Sequence, residues 1–429
     1  MGASRFFGVI DEWLPNYMNL KQSVSTTLKI PIASADPCSL EDVNTTDRLV
    51  DLSRCELVVH ESIEEIPKKS WDYLIGDSLI TRSFDYLLAI QNSSISGSQY
   101  YYPVIYDQDK NIVAHACIYT VRTDFSQLLP KRLFGTVQYL RKFWPSLLSV
   151  EITECGTPLS WGCSISVVKG LSRSSVLPLI NDAMISIAEK SRSRLLVIRD
   201  FLESERDDSD QQLTSLGYRQ RSNYPLARIR VRWDSYKEYR GSFRARYRKD
   251  IKRRIRIAES AGNGVEILDS FGSESSRWAE QASVIREQTK GFRREALSPR
   301  YYENMDYLLG HDSKLLVINN RGERVAHGMI IFDRETTTAT FFGRDSGPPQ
   351  GEWFQLINSV IRIGIDRGSK YISLGLGSYD GKSILGADIE ALVVYRRSTN
   401  PILNFLINLI PDLMKPNVRL HRNLFKTNY

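Results

Sequence analysis

The sequence predicts an α/β fold with mixed α+β sheets, built from two copies of one β-β-β-α-β unit in tandem. Two observations indicate the duplication. The first is a repeated tripeptide, since Val113-Ala114-His115 and Val325-Ala326-His327 each lie in an apolar stretch of small residues. The second is the order of patterns around the tripeptide, which is the same in both halves. We therefore expect a duplicated domain rather than a solenoid.

Each tripeptide is predicted to lie on the second strand of a β-hairpin. An apolar stretch comes first, at 102–106 in one half and 315–318 in the other, and a polar turn follows. Turn residues between two strand patterns are typical of hairpins. Third strand patterns follow at 149–153 and 338–342. His115 and His327 would therefore occupy the same strand of two copies, where a packing role is the alternative to a chemical one.

A loop rich in Gly and an amphipathic helix follow each third strand. Apolar residues recur at helical spacing from Val176 to Ile187 and from Trp353 to Ile365. Each helix leads into an apolar strand, at 195–198 and 371–374, as expected for a buried parallel strand reached through a crossover helix. We predict an N-terminal extension at 1–54, a first domain at 55–235 with an insertion at 122–149, a basic linker helix at 236–262, a second domain at 263–400, and a C-terminal helix and tail at 401–429.

The net charge of +7 comes from one segment. From Arg219 to Arg256 there are fifteen Lys or Arg and three acidic residues, a balance of +12, so the rest of the chain sums to −5. An apolar stripe at i, i+4 spacing predicts an amphipathic helix here with a cationic exterior. Because like charges repel on a helix, an anionic partner would stabilise it. We expect Arg244, Arg248 and Lys252 to bind a phosphate-bearing substrate, and an acidic lipid surface or a solvated face are the alternatives.

Composition disfavours other classes of protein. No apolar run approaches the roughly 18 residues that a membrane span needs. Asp11 and Glu12 lie where a signal peptide would be apolar, so we expect a cytoplasmic protein. The five cysteines show no metal-ligand spacing, and we expect no metal.

Three stretches carry a resemblance to a known family. Leu213-Thr-Ser-Leu-Gly-Tyr218 precedes two closing strand patterns, at 219–224 and 226–233; an Arg-rich stretch at 242–256 joins the halves, and a Gly-rich stretch follows at 375–387. In these stretches and in its duplication, the chain resembles the FemAB-like and BioF2-like group of acyl and aminoacyl transferases. The resemblance covers roughly residues 55–400. It implies tandem GCN5-related N-acetyltransferase-like domains, with the first on the acceptor side and the second on the donor side.

The resemblance places the phosphates of the acyl donor at the start of the second repeat's central helix, where free N–H groups and the helix dipole favour anions. The preceding loop contains Arg344-x-x-Gly347, which is similar to the first half of the family's signature. The second half departs from it, because Pro349 replaces Gly or Ala and has no N–H. The residues expected to bind the donor are Arg344, Ser346, Gly347, Gly351 and Lys382.

Formation of an amide by direct attack needs a base for the amine and hydrogen-bond donors for the tetrahedral oxyanion. Candidate bases are His327, Asp345, Glu352 and Asp380. Tyr379 is the candidate acid for a leaving thiolate, and Lys382 can neutralise phosphate or oxyanion charge. Both follow directly on a buried strand, and open α/β sheets bind ligands at such strand ends.

These patterns predict an N-acyltransferase that moves an acyl group from acyl-CoA or acyl carrier protein to a small-molecule or peptidyl amine. One alternative is an aminoacyl-tRNA-dependent transferase that forms peptide bonds, which the FemAB-like resemblance allows. The other is a non-catalytic protein that binds nucleic acid or a membrane surface. The insertion at 122–149 mixes basic and aromatic residues, so it either contacts such a partner or packs on its own domain.

Overall fold

Two mixed sheets form the framework of the protein. The computed structural model describes residues 28–30, 50–76, 79–129, 131–202, 209–289, 294–400, 404 and 423–426. Within these residues, one sheet has ten strands and the other has seven. The first sheet lies mainly in the first repeat and the second sheet mainly in the second.

The first sheet contains β1 (Leu28–Ile30), β2 (Glu56–His60), β3 (Gln99–Tyr106), β4 (Ile112–His115), β5 (Ile118–Asp124), β6 (Ser149–Cys155), β7 (Ser166–Val167), β8 (Leu195–Leu202), β9 (Arg219–Ser222) and β17 (Leu392–Ser398). Its order is β1-β2-β3-β5-β6-β8-β17-β9, with β4 paired to β3 and β7.

The second sheet contains β10 (Leu226–Arg230), β11 (Asn263–Leu268), β12 (Ser313–Asn320), β13 (Glu323–Phe332), β14 (Thr336–Arg344), β15 (Tyr371–Gly375) and β16 (Asp388–Glu390). Its order is β11-β12-β13-β14-β15-β10-β16.

The α-helices of the described residues are α1 (Lys68–Ile75), α2 (Phe84–Ser93), α3 (Lys131–Leu140), α4 (Arg173–Ser191), α5 (Ser209–Ser215), α6 (Tyr236–Ser242), α7 (Ala245–Ser260), α8 (Ser275–Gln288), α9 (Pro299–Leu309), α10 (Glu352–Asp366) and α11 (Tyr379–Ile384).

The duplicated β-β-β-α-β unit is present in both halves. Hairpin strands β12 and β13 are antiparallel, β14 adds to β13, and α10 crosses over to β15, which is parallel to β14. The first half repeats this order with β3, β4 and β5 as the hairpin, β6 as third strand and α4 leading to the parallel strand β8. Both helices bury apolar faces against their sheets. The predicted α/β fold class is confirmed.

The two sheets exchange their closing strands, which corrects the predicted assignment of two segments. We assigned residues 226–233 to the first domain, but β10 pairs with β15 and β16 in the second sheet. We assigned 263–400 to the second domain, but β17 pairs with β8 and β9 in the first sheet. Each half therefore completes the sheet of the other, which local patterns cannot reveal.

The basic linker forms two helices rather than the one helix predicted over 236–262. The backbone of Phe243 and Arg244 is extended, because Phe243 forms a bridge with Phe425 and the Arg244 N–H donates to the Leu424 carbonyl. This contact docks residues 423–426 on the corner between α6 and α7. The rest of the predicted C-terminal helix, apart from Asn404, lies outside the described residues, as does most of the predicted extension at 1–54.

One hydrophobic cluster joins the two repeats. It contains Trp71 and Tyr86 from the first half, packed with Trp278, Tyr301 and Met329 from the second. All five side chains are buried. Burial of large aromatic groups is a major source of stability, so this shared cluster holds the repeats in a fixed relation.

Candidate active site

A cleft of about 500 Å³ lies between the repeats, where two parallel strands of the second sheet separate. β14 and β15 pair from Thr336–Tyr371 to Thr338–Ser373 and diverge beyond that point. The lining residues include Ala339, Thr340, Phe341 and Phe342 on β14 and Leu374 on β15. One edge of β14 is thus open to a ligand, and the walls around it are largely apolar.

The first repeat supplies the opposite wall of the cleft through Leu159, Ser160, Trp161 and Arg199. Gly375 allows this close approach. A Cβ atom there would lie 3.2 Å from the Trp161 ring, and its φ of 72° is in the left-handed region. Glycine alone combines that φ with the space the indole occupies.

Lys382 is a buried cation at the end of β15. Its Nζ donates to the carbonyl oxygens of Gly375 at 3.2 Å and Leu376 at 2.9 Å, and its side chain lines the cleft. Burial lowers the pKa of Lys382 to about 7, because the charged amine has lost water. An ammonium has three N–H donors, so one remains for a ligand.

A cluster of charged residues adjoins the cleft through Arg199, which is one of the lining residues. Buried Glu154 accepts hydrogen bonds from Tyr119 and from Arg294 of the second repeat, and the Arg199 Nε lies 3.7 Å from it. Burial alone would raise the pKa of Glu154, but Arg294 and Arg199 outweigh it and hold that pKa below its usual value. The cluster therefore joins the two repeats as an ionised, hydrogen-bonded unit.

Glu295 lies beside this cluster and lines the cleft. Arg294 donates to its Oε1 from Nε at 3.2 Å and from Nη2 at 3.0 Å. The hydrogen bonds of the described residues involve only that oxygen of Glu295, so Oε2 can accept from a ligand. The lining of the cleft thus includes a carboxylate and an amine.

The predicted phosphate cradle before α10 is not formed by these residues. The Glu352 carboxylate accepts the Gln350 N–H at 2.8 Å, so a protein anion already lies at this helix N-terminus. The Arg344 guanidinium is buried and donates to the backbone carbonyls of Asp345 and Gly347. A Cβ on Gly351 would lie 3.0 Å from Ala258, so helix α7 covers this end of α10.

Arg344 and Glu352 both bond to the backbone of this loop, and neither lines the cleft. Ser346 and Gly347 are exposed on the same loop and do not line the cleft. Of the donor residues predicted from the sequence, Lys382 lines the cleft.

His327 is a buried structural residue, which corrects its prediction as a base. Its Nδ1 lies 2.8 Å from the Gln281 Oε1 and its Nε2 lies 2.9 Å from the Tyr302 hydroxyl. Gln281 donates its amide N–H groups to Asp345 and to the Arg324 carbonyl, so its oxygen must face the histidine and Nδ1 carries the proton. Burial lowers the pKa of His327 to about 3.

His115 is buried in the same way in the first repeat. It stacks on Trp71 with ring centroids 3.7 Å apart, and its Nε2 lies 3.1 Å from the Trp71 carbonyl oxygen. Burial lowers its pKa to about 3. The packing alternative is therefore the correct one for both histidines.

Three further predicted catalytic residues lie outside the cleft. The Tyr379 hydroxyl donates to the Pro225 carbonyl at 2.8 Å, and burial raises its pKa to about 12. Asp345 and Asp380 are exposed, and Asp345 is bonded to Gln281. None of the three contacts the open edge of β14.

A basic groove of about 630 Å³ runs along α6 and α7. It is lined by five cationic side chains, those of Arg240, Arg248, Lys249, Lys252 and Arg256. Arg248 and Lys252 were predicted to bind phosphate, whereas Arg244 does not line the groove and donates to the Phe425 carbonyl. The groove and the cleft share no lining residue.

Sequence reasoning missed the first repeat's contribution to the cleft. Glu154 and Arg199 interrupt apolar strand patterns, and a buried charge in such a pattern signals a partner or a site. Trp161 and Glu295 are in irregular segments and gave no local signal. Among the described residues, no cluster of three His, Cys, Asp or Glu side chains is placed to hold a metal ion.

Comparison with known proteins identifies the family. The model of the FemAB-like family, described as peptidoglycan biosynthesis/recognition, matches residues 62–351, more than half of the chain. A Mycobacterium tuberculosis protein provisionally named 8-amino-7-oxononanoate synthase 2 is 21% identical over 326 residues, which are 74% of this chain and 42% of that protein. The chain thus spans less than half the length of this curated relative.

Solved structures align with most of the chain. FemX has a TM-score of 0.50 and 12% identity, with coverage of 80% of this chain and 98% of FemX. A tandem GNAT protein from the clavulanic acid biosynthesis pathway has a TM-score of 0.48 and 10% identity, with coverage of 81% and 99%. The likeness to FemX shows the fold alone. The extent of the family match shows that the chain belongs to the FemAB-like family.

Proposed function

We propose that the protein is an acyltransferase that forms amide bonds in the cleft between its repeats, by direct attack of an amine on a carrier-bound acyl group. The observation that carries the proposal is the separation of β14 from β15, beside a cleft whose lining includes both Lys382 and Glu295. An extended acyl donor can add to the open edge of β14 through main-chain hydrogen bonds. Its acyl group then lies against the apolar wall.

Lys382 stabilises the tetrahedral intermediate. When the amine nitrogen attacks the carbonyl carbon, the carbonyl oxygen becomes an oxyanion, and a preorganised N–H donor in a cleft poor in water stabilises it strongly. The two bonds from Lys382 to carbonyl oxygens fix the direction of its Nζ. Since its pKa is about 7, it can also return a proton to the leaving atom of the carrier near neutral pH.

Glu295 accepts the proton of the attacking amine. The nitrogen–carbon bond forms, the bond from the carbonyl carbon to the carrier breaks, and the carrier leaves with a proton. Arg294 binds Oε1 of Glu295 and leaves Oε2 for a ligand. Because Arg294 is itself bonded to buried Glu154, the base is oriented by a rigid group.

The donor favoured by the geometry is aminoacyl-tRNA. The occupied N-terminus of α10 offers no cradle for the compact pyrophosphate of coenzyme A. The groove on α6 and α7 instead presents five cations over an open surface, which suits phosphates spaced along a nucleic-acid backbone. The acceptor suggested by the description of the family is a peptidyl amine of a peptidoglycan precursor. Acyl-CoA and acyl carrier protein are the alternative donors.

The test is amide formation from each donor in turn. The protein is incubated with a lysine-containing muropeptide and with charged tRNA, acetyl-CoA, long-chain acyl-CoA or acyl carrier protein, and the product is identified by mass spectrometry. We expect product from charged tRNA. Turnover of acyl-CoA alone would contradict the choice of donor. If no donor gives product and none raises the melting temperature, the transferase chemistry proposed for this cleft is wrong.

The basic groove is tested separately by the double variant Arg248→Gln/Lys252→Gln. We expect weaker binding of tRNA and a salt dependence whose log–log slope falls by roughly one for each lost phosphate contact. Arg300→Gln, an exposed arginine on α9, is the matched control. Equal tRNA affinity in both variants would remove the groove from the donor site.

A further inference from the structure

The insertion between β5 and β6 carries an unusual concentration of exposed apolar side chains. We call residues 132–148 the aromatic tip. Among the described residues, fourteen large apolar side chains are exposed, and seven of these lie in the aromatic tip. They are Leu133, Phe134, Tyr139, Leu140, Phe143, Trp144 and Leu148. Apolar side chains of this segment are therefore exposed in the structure rather than fully packed on the domain.

Two neighbouring aromatic side chains are the most exposed of the seven. Phe143 and Trp144 are 76% and 67% exposed and lie side by side at the turn after α3. Exposed apolar patches of this kind mark contact sites. In α3 itself, Val137 is the buried apolar residue, so the helix presents most of its surface outward.

The charge around the aromatic tip has one sign. No Asp or Glu occurs between Phe125 and Val150, whereas Arg132 and Lys142 are exposed. The Lys142 Nζ lies 5.6 Å from the centre of the Tyr139 ring, and this ring packs edge-on against Phe143. A lysine in this position can cover apolar surface with its methylene groups while its amine stays at a polar boundary.

The aromatic tip is held in place before any partner binds. Arg141 donates to both oxygens of Asp124, at 2.9 and 2.7 Å, and to the Leu147 carbonyl at 3.0 and 2.8 Å. These bonds lower the pKa of Asp124 to about 2, so the nearest carboxylate stays ionised and paired. The exposed ring pair is therefore ordered at little further entropic cost.

We propose that the aromatic tip docks in the headgroup region of an anionic lipid bilayer. Trp and Tyr prefer this depth because one end of each ring is apolar and the other polar. Phe143 and Trp144 enter the boundary with the acyl chains, while Arg132 and Lys142 contact lipid phosphates. None of the described helices is long and apolar enough to span a bilayer, so the contact is a peripheral one.

The exposed cations beside aromatic groups favour a lipid surface over another protein as the partner of the aromatic tip. Protein interfaces deplete lysine at their centre, whereas anionic bilayers attract cations beside aromatic groups. Docking also leaves the cleft open. The aromatic tip adjoins Ser149 at the start of β6, and Glu154 lies five residues further along that strand, about 17 Å away at ordinary strand rise.

The test is co-sedimentation with vesicles of phosphatidylcholine alone and of phosphatidylcholine with about a third phosphatidylglycerol. We expect binding to the anionic vesicles, and a loss of at least about ten-fold in the double variant Phe143→Ser/Trp144→Ser. Arg132→Gln and Lys142→Gln should each weaken binding by about five-fold. Tyr73→Ser/Tyr307→Ser, which removes two rings of similar exposure elsewhere, should bind like the native protein.

Three outcomes overturn the proposal. One is absence of binding to anionic vesicles, and another is equal loss in the tip variant and the control variant. The third is a native protein that self-associates in sedimentation equilibrium without lipid but loses this association in the tip variant, because a second copy would then be the occupant. The substituted residues are exposed, so unchanged melting temperatures are expected and verify that each variant is folded.

Discussion

The two repeats separate their parallel strands at equivalent places, but only the second repeat leaves a gap there for a ligand. In the first repeat, β6 and β8 pair as far as Cys155–Ile198, and the next residue is Arg199. Its side chain crosses to the other strand, donates to the Thr157 carbonyl at 2.6 Å and lies where a Cβ on Gly156 would be. In the second repeat, the residue after the last pair is Leu374, which lines the cleft.

The difference shows how duplication allowed the halves to specialise. Arg199 fills the gap of its own repeat and also forms a wall of the cleft in the other. Together with Glu154 and Arg294 it fixes one repeat against the other. One copy of the unit thus supports the site, and the second copy contains it.

The largest effect is expected from replacing Arg199, whose side chain fills the space where β6 and β8 separate. Arg199→Met leaves buried Asp200 without its ion pair and Glu154 with one fewer, and breaking a buried pair costs about 3–5 kcal/mol. Urea denaturation should show a loss of this order in the free energy of unfolding. Arg194→Met, at an exposed site nearby, should change it by less than about 0.5 kcal/mol. Similar values for both variants would show that Arg199 does not support the fold.

The next largest effect is expected from replacing Lys382, which lines the cleft where β14 and β15 separate. Lys382→Met should lower kcat/KM about 100-fold, or about 2.7 kcal/mol, by removing the oxyanion donor. Exposed Lys370→Met is the control. Burial lowers the pKa of Lys382 in the folded protein to about 7, below its value in the unfolded chain. The buried lysine therefore lowers the free energy of unfolding by its full amount below pH 7. This loss becomes smaller as the pH rises from 7 toward the pKa of the unfolded chain.

Lys382→Met should therefore melt higher than the native protein at pH 6, and the two should converge at alkaline pH. The activity of the native protein should fall as the pH rises through about 7. The residual activity of Lys382→Met should not show this decrease. A variant that is less stable at pH 6, or as active as the native protein, would contradict the assignment.

A smaller effect is expected where the repeats are alike. Burial lowers the folded pKa of both His115 and His327 to about 3, so their contribution to stability is complete above the unfolded value near 6.5 and is lost as pH falls toward 3. At pH 5 each buried histidine should lower the free energy of unfolding by roughly 2 kcal/mol. Urea denaturation from pH 7.5 to 5 measures this loss, and His327→Gln should halve it. An unchanged free energy over this range would mean that the histidines are not buried as described.

The smallest effect is expected from narrowing the open gap. Leu374→Phe should raise the KM for the donor about ten-fold, or about 1.4 kcal/mol, because the larger ring occupies space where the strands diverge. Leu374→Met keeps the volume and is the control. If kcat falls while KM stays constant, the donor does not bind along this edge.

The fold was largely predictable because its signals are local. The crossover unit is indicated by the helical spacing from Val176 to Ile187 and by the apolar strand pattern that follows it. The same two patterns recur in the second repeat. The exchange of β10 and β17 was not predictable, since both strands have closing patterns that fit either sheet.

The site was predictable only in part, because a pattern shows residue types and not their partners. Lys382 was found through its place after a buried strand. His327 was misjudged because Gln281 and Tyr302, which bury and bond it, come from α8 and α9. The loop at Arg344 was misjudged because the Glu352 carboxylate turns back onto the Gln350 N–H, a conformation the sequence does not specify.

The exchanged closing strands make the order of synthesis matter. A ribosome delivers β8 and β9 long before β17, their shared neighbour in the first sheet. Until β17 emerges, β8 has an unpaired edge, which is the kind of surface on which nascent polypeptides aggregate. The first sheet is therefore incomplete until β17 has been synthesised, and a chaperone that shields the edge of β8 before that point would raise the yield of native protein.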